Sequence, residues 1–358
     1  MIVAGCTKIE FPYGSKILLK VYHKLRSYLF HRFMQAKAGD NMERPKIGLV
    51  LGSGSARGLA HIGVIRELAN MGIRPDLVTG SSIGAVVGGA YASGHLDEFE
   101  EWICTLRRVD ILKLLDVRMA GGGFIQGKPL MIAIEKRIGN PNIEDLEVTF
   151  GCVATSLLNG KEHWLRDGSL LNAVRSSIAL PGIFAPIALK HDIMVDGGLV
   201  NPVPISLARA MGADYIIAVN LNSDLIGRHF SLHHSDAADN QGNKKKLEYA
   251  EKHDPNIAMW ASKLKADFGI RLDSFISSLH KKKIHEPGLF DVIASSINIM
   301  QDRITNSRVA EDPPDVLITP KLGYIGLMEF DRAQETIQEG HEATRRVKDT
   351  LEKLKHKS

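Results

Sequence analysis

The chain has 358 residues, of which 44% are apolar and 24% charged. That balance excludes wholesale disorder and is enough for one large core. No apolar run reaches the roughly 18–20 residues of a spanning helix, and the longest, 178–189, is broken by Pro181 and Pro186. Cys6, Cys104 and Cys152 lie far apart, which excludes a disulfide framework and a Cys-only zinc site and fits a reducing, cytoplasmic compartment. The net charge of +4 is uneven: residues 1–46 hold nine Lys/Arg against three Asp/Glu, and the remainder 36 against 38. The body is therefore near neutral, and the basic arm suits an anionic surface. No nucleic-acid motif accompanies it, so nucleic acid is not an expected partner.

From residue 13 to 37 there are six Lys/Arg and no acid, and Leu18, Val21, Tyr22, Leu25, Leu29 and Phe33 recur at helical spacing. This predicts an amphipathic helix that either lies at the inner face of a membrane or packs on the body. After a Gly39-Asp40-Asn41 linker, 47–51 reads as a buried strand and 61–69 as a helix. A second strand at 77–79 leads into a small-residue helix at 83–92. Strand, glycine turn and helix, repeated, is the rhythm of a mostly parallel α/β sheet. Further strands are expected at 149–154, 163–165, 187–195, 215–219 and 316–318, and a charged helix from Phe330. Residues 221–286 differ in composition: a polar stretch, 231–246, precedes Ile257, Trp260, Leu264 and Phe268 at helical spacing, read as a core helix or a lid. The expected divisions are a basic arm (1–44), a catalytic domain (45–220), this loop and helix (221–286), and a C-terminal segment packing on the domain (287–358).

Three turns carry the chemistry. Gly80-Ser81-Ser82-Ile83-Gly84 is a G-x-S-x-G between a strand and a helix, the setting of a nucleophile elbow. There a tight turn projects the Ser82 hydroxyl, and the helix N-terminus offers N–H groups such as that of Ile83 to a developing oxyanion. Gly52-Ser53-Gly54-Ser55-Ala56-Arg57-Gly58 is a second strand-to-helix turn. It lacks a Walker Gly-Lys-Ser/Thr, and Arg57 stands where a dinucleotide fingerprint wants glycine, so an oxyanion hole is the better reading. Arg57 is counted with Ser53, Gly54 and Ser55 in that turn, chiefly as its anchor. Asp196-Gly197-Gly198 follows a short strand and presents a carboxylate at a sheet edge, the candidate base for Ser82.

These blocks resemble the patatin-like phospholipases, notably the short bacterial members. Gly52–Gly58 with Leu59-Ala60-His61-Ile62-Gly63 is similar to their glycine-rich signature, and Gly80–Gly84 to their elbow. Ser177 to Phe184 and Val195 to Pro204 are similar to their later blocks. The resemblance spans about 46–220, with a weaker likeness in 287–344. It implies a three-layer α/β/α fold and a Ser–Asp dyad without histidine, Ser82 as nucleophile and Asp196 as base. It also implies hydrolysis of lipid or phospholipid esters through an acyl-serine, with no metal or cofactor. The sequence departs from the family at Ser53 and Ser55, where an unbroken glycine run is usual and a serine is strained wherever φ is positive. Two rivals remain: a Ser–His–Asp esterase or acyltransferase drawing on one of fourteen histidines, and a catalytically weak, membrane-associated regulatory protein. His61, in the helix after the glycine turn, reads as a packed or surface histidine. An apolar acyl cleft is expected to draw on parts of 111–124 and 178–187.

Overall fold

In the computed structural model the described residues are 44–114, 117–120, 123–189, 192–223 and 289–355. The expected arm helix at 13–37 and nearly all of the expected lid segment lie outside them.

An eight-stranded sheet organises the body from Pro45 onward. Its centre is β1 (Ile47–Leu51), flanked by β2 (Leu77–Ser81) and β9 (Tyr215–Val219), with β10 (Val316–Ile318) beyond β9. These four strands and β5 (Thr149–Ser156), which lies beside β2, are mutually parallel. Beyond β2 the sheet turns antiparallel: β6 (Glu162–Leu165) pairs with the far side of β5, while β8 (Asp192–Asp196) pairs with the end of β5 on the side of β2 and carries β7 (Ile187–Leu189). A separate hairpin is formed by β3 (Val117–Ala120) and β4 (Gly123–Ile125).

Alternation along the central strands divides the core into two layers. Leu49 and Leu51 of β1, with Ile217 and Val219 of β9, face one layer. Val50, Ile216 and Ala218 face the other, as the two-residue period of a strand requires. The larger layer is covered by α1 (Ala60–Asn70), α2 (Ile83–Ala92), α3 (Leu96–Thr105), α5 (Lys128–Ile138), α6 (Leu170–Ser177), α9 (Ala333–Arg346) and α10 (Lys348–Lys355). The short α4 (Arg108–Leu114) precedes β3. The smaller layer is covered by α7 (Ile205–Ala210) and by Val309 of α8 (Leu289–Glu311). The result is the three-layer α/β/α arrangement that the resemblance implied, with the mostly parallel sheet expected from the strand–turn–helix rhythm.

One strand differs from expectation. The expected strand 187–195 is two antiparallel strands, β7 and β8, with Ile187 opposite Met194. In the sequence Lys190, His191 and Asp192 interrupt the apolar run.

Helices α1 and α9 approach closely because each offers a glycine at the crossing. A Cβ at Gly63 would lie 1.9 Å from the Ile337 carbonyl oxygen, and one at Gly340 would lie 2.0 Å from that of Ala60. Beside this crossing the largely buried Glu67 carboxylate accepts from Arg345 Nε at 2.8 Å and lies 3.1 Å from His341 Nδ1. On helix propensity alone Gly63→Ala stabilises by up to about 1 kcal/mol. The crossing reverses that sign: the variant is expected to lose about 1–3 kcal/mol, read as an earlier midpoint in guanidinium denaturation.

Candidate functional site

Ser82 sits between β2 and α2 with φ 55° and ψ −123°, a left-handed turn that strains any residue with a Cβ. The strain is imposed by packing on both sides. A Cβ at Gly84 would meet the Leu51 carbonyl oxygen at 2.1 Å, and one at Gly80 the Gly84 carbonyl oxygen at 2.4 Å. With glycine at both places, α2 can start directly against the end of β1. The Ser82 N–H donates to Ser177 Oγ at 2.9 Å, which fixes the turn from the side of α6.

The Ser82 hydroxyl donates to Asp196 Oδ2 at 2.6 Å. Asp196 ends β8 and is fully buried. Its other oxygen, Oδ1, accepts from the Gly198 N–H at 2.7 Å. Its own N–H donates to the Ala179 carbonyl at 3.0 Å, and its carbonyl accepts from Thr155 Oγ1 at 2.7 Å. A Cβ at Gly197 would meet the Val153 carbonyl oxygen at 2.1 Å, so glycine there lets the chain turn tightly against β5. Burial pushes the Asp196 carboxyl up to about 6, against the opposing pull of the Ser82 and Gly198 hydrogen bonds.

The glycine turn 52–58 faces this pair. A Cβ at Gly58 would meet Ile83 Cγ2 at 2.1 Å, and one at Gly54 Leu221 Cδ1 at 2.7 Å. Ser53, Gly54, Ser55, Ser82 and Ile83 line one cavity. The four residues assigned to the oxyanion turn divide in role. The Ser53 N–H is already spent on the Pro202 carbonyl at 2.8 Å, so it is withdrawn as an oxyanion donor. The N–H groups of Gly54, Ser55 and Ile83 have no partner among the described residues, and these are the ones left to meet an anion. Arg57 is fully buried and is not among the residues lining the cavity. Its Nε donates to the Gly54 carbonyl at 3.1 Å and its Nη2 to Asn298 Oδ1 at 3.0 Å, the anchoring role. His61 is also buried, its Nε2 2.8 Å from the Gly52 carbonyl oxygen, and burial pushes its pKa down to about 4.

The cavity encloses about 1100 Å³, open mouth included. Ile111, Leu114, Ile178, Leu180, Ile183 and Phe184 come from the two stretches expected to form a cleft. Sequence reading missed Phe99, Trp102 and Ile103 of α3, Leu130 and Ile134 of α5, and Met328 and Phe330. It also missed Asn298 and Gln301 of α8, the polar wall. A signal for these two existed: the buried residues described in this long helix are 297, 298, 301, 302 and 305, and all but Ile297 are polar, which a core-packing helix would not choose. Among the described residues no Lys, Arg, His, Asp or Glu lines the cavity.

The patatin-like phospholipase family model matches residues 49–209, which include all three turns. The chain carries a patatin-like phospholipase domain. Uncharacterised NTE family proteins of Mycobacterium tuberculosis and Mycobacterium bovis are 42% identical to this chain over 183 residues, 51% of the chain and 51% of each relative. A lysophospholipase of Scheffersomyces stipitis is 33% identical over 185 residues, 49% of this chain and 12% of that one. A patatin-like phospholipase domain-containing protein of Caenorhabditis elegans is 36% identical over 184 residues, 49% of this chain and 14% of that one. The aligned stretch thus spans about half of the mycobacterial relatives and a small part of the others. Asn298, Gln301 and Leu327, which touch the glycine turn, lie beyond the residues matched as the patatin-like domain.

A carboxyl raised by burial is a cost to folding. Between about pH 4, where a free aspartate titrates, and about 6, the folded chain holds a proton that the unfolded chain has released. Stability therefore falls as pH rises through that window, by up to about 3 kcal/mol. Asp196→Asn, whose amide can still accept from Gly198 and meet Ser82, is expected to melt higher than wild type above pH 6. Below pH 4 the two should converge, and melting curves from pH 4 to 8 test this.

Proposed function

We propose that the chain is a serine acyl hydrolase of the phospholipase A or lysophospholipase type, working through a Ser82–Asp196 dyad. The observation that carries this reading is the 2.6 Å hydrogen bond from Ser82 Oγ to the buried Asp196, at a strained elbow that opens into an apolar cavity. The fungal relatives' description as lysophospholipases supports the substrate class.

The steps follow from the geometry. Asp196, ionised above about pH 6, takes the Ser82 proton as Oγ attacks the ester carbonyl carbon. The carbonyl oxygen becomes an oxyanion facing the Gly54, Ser55 and Ile83 N–H groups. Collapse expels the alcohol, which takes the proton from Asp196, and leaves acyl-Ser82. Water, deprotonated by Asp196, then attacks the acyl carbon and releases the fatty acid, and the proton returns to Ser82. A carboxylate is a weak base for a hydroxyl, and burial narrows the gap by raising its pKa. Among the described residues no histidine is hydrogen-bonded to Ser82 or Asp196, which argues against a Ser–His–Asp arrangement. Contact of residues 13–37 with an anionic membrane at the inner face belongs to the same proposal, supported by the six basic and no acidic side chains there.

Labelling with a fluorophosphonate and mapping the adduct tests the nucleophile: modification of Ser82 is expected, and Ser82→Ala should abolish both labelling and ester turnover. Modification of another serine overturns the assignment. Asp196→Asn should lower kcat by about 10⁴, the scale seen when the aspartate of a Ser–His–Asp triad is replaced by asparagine. Wild-type kcat/KM should rise with pH through about 6 and then level off, since the ionised carboxylate is the active form. Removing residues 1–40 should spare turnover of a soluble short-chain ester and reduce turnover on anionic vesicles. Equal loss on both substrates would count against a membrane role for the arm.

A further inference from the structure

The turn that faces Ser82 carries serine at two positions, and each hydroxyl is tied to a part of the chain outside the matched domain. Ser55 holds φ +53°, a conformation that glycine would adopt without strain. Its Oγ donates to the Leu327 carbonyl at 2.5 Å, and the N–H of the next residue, Ala56, donates to the same oxygen at 3.1 Å. Ser53 is buried, and its Oγ donates to Gln301 Oε1 at 3.1 Å. That oxygen also accepts from Asn222 Nδ2 at 3.2 Å. Both ties flank Gly54, and they approach from different elements, α8 on one side and the stretch before α9 on the other.

A strained residue persists only where its surroundings over-determine it. At Ser55 the surroundings are the two hydrogen bonds to Leu327. The strain therefore has a use: it sets the orientation of the Gly54–Ser55 peptide, whose N–H lies among the groups lining the cavity beside Ser82. Glycine at both positions would give the same backbone donors with neither hydroxyl tie, leaving only the Ala56 N–H on Leu327.

On the ester-hydrolase reading above, we propose that Ser53 and Ser55 are positioning residues. Their hydroxyls fasten the oxyanion turn to Gln301 and Leu327, so that the C-terminal segment completes a site whose reacting groups lie within 49–209. Neither hydroxyl meets the substrate; each acts through the backbone N–H groups between them.

The test is steady-state turnover of a soluble p-nitrophenyl ester by the full chain, with melting temperatures measured alongside. The variants are Ser82→Ala, Ser55→Ala, Ser55→Gly, Ser53→Ala, Gln301→Met and the Ser53→Ala/Gln301→Met double. Misaimed oxyanion donors lower kcat, so Ser55→Ala and Ser55→Gly should each lose about tenfold or more in kcat with KM within about twofold. Ser55→Gly should melt no lower than wild type, because the relaxed φ offsets the lost hydrogen bond. Ser53→Ala and Gln301→Met should each reduce kcat, and the double variant should be no worse than the poorer single, as expected of one shared interaction. Wild-type or better turnover in Ser55→Gly, with Ser53→Ala unchanged, overturns the proposal and leaves the hydrolase reading standing. Losses of kcat that merely follow falling melting temperatures also count against it. Absence of Ser82-dependent turnover in the wild type overturns the hydrolase reading, and this proposal with it.

Discussion

The hydrogen bond between Ser82 and Asp196 joins two differently built halves of one sheet. Ser82 follows β2, in the parallel half, and Asp196 ends β8, in the antiparallel half. Both strands pair with the same side of β5, end to end, and β5 sets their level. Ser81 pairs with Val153 and Asp196 with the next residue, Ala154, while β6 takes the other side of both positions. The two side chains therefore emerge at neighbouring heights on one edge. A slip of a single residue between β5 and β8 would turn the carboxylate to the opposite face of the sheet, so the site depends on the register of these two strands.

That register sits among close contacts made at glycines, two with backbone and one with a side chain. Gly84 against Leu51, Gly197 against Val153 and Gly58 against Ile83 each leave no room for a Cβ. These contacts lock three turns to one another, and the lock holds features that are unfavourable alone: a buried carboxyl, and serines at positive φ in two of the turns. A protein of ordinary stability can carry only a few kcal/mol of such cost, and tight packing of rigid elements is the means of holding it in place.

Much of this was legible in the sequence, for a physical reason. Strands such as 47–51 and 215–219 are buried on both faces and show as short apolar runs. The helix at 83–92 shows through its small residues, and the three glycine turns show through composition. What escaped detection depends on contacts between distant segments. Nothing local in 187–195 states that the chain doubles back, beyond three polar residues in its middle. Nothing in Ser53 states that its N–H is claimed by Pro202. The walls contributed by α3 and α5 look like any amphipathic face, because an acyl-sized cavity and a core ask for the same side chains. The polar stripe of α8 was the readable exception, since Asn298 and Gln301 stand where packing alone favours apolar residues.

The cavity's chemistry bears on how such a site chooses among esters. Its described walls hold no charged side chain, and its polar groups gather around Ser82 and along α8. A phosphate or ammonium drawn past the Ser82 turn and in among the apolar walls would lose its hydration without gaining a charged partner, which is costly. An acyl chain gains by the same move, at about 0.8 kcal/mol for each methylene buried. In the proposed reaction the acyl half therefore enters and any charged head group stays at the mouth, in water. Discrimination then rests on the length and shape of the chain that α3 and α5 can enclose. Head-group preference, where it exists, has to come from residues outside the cavity.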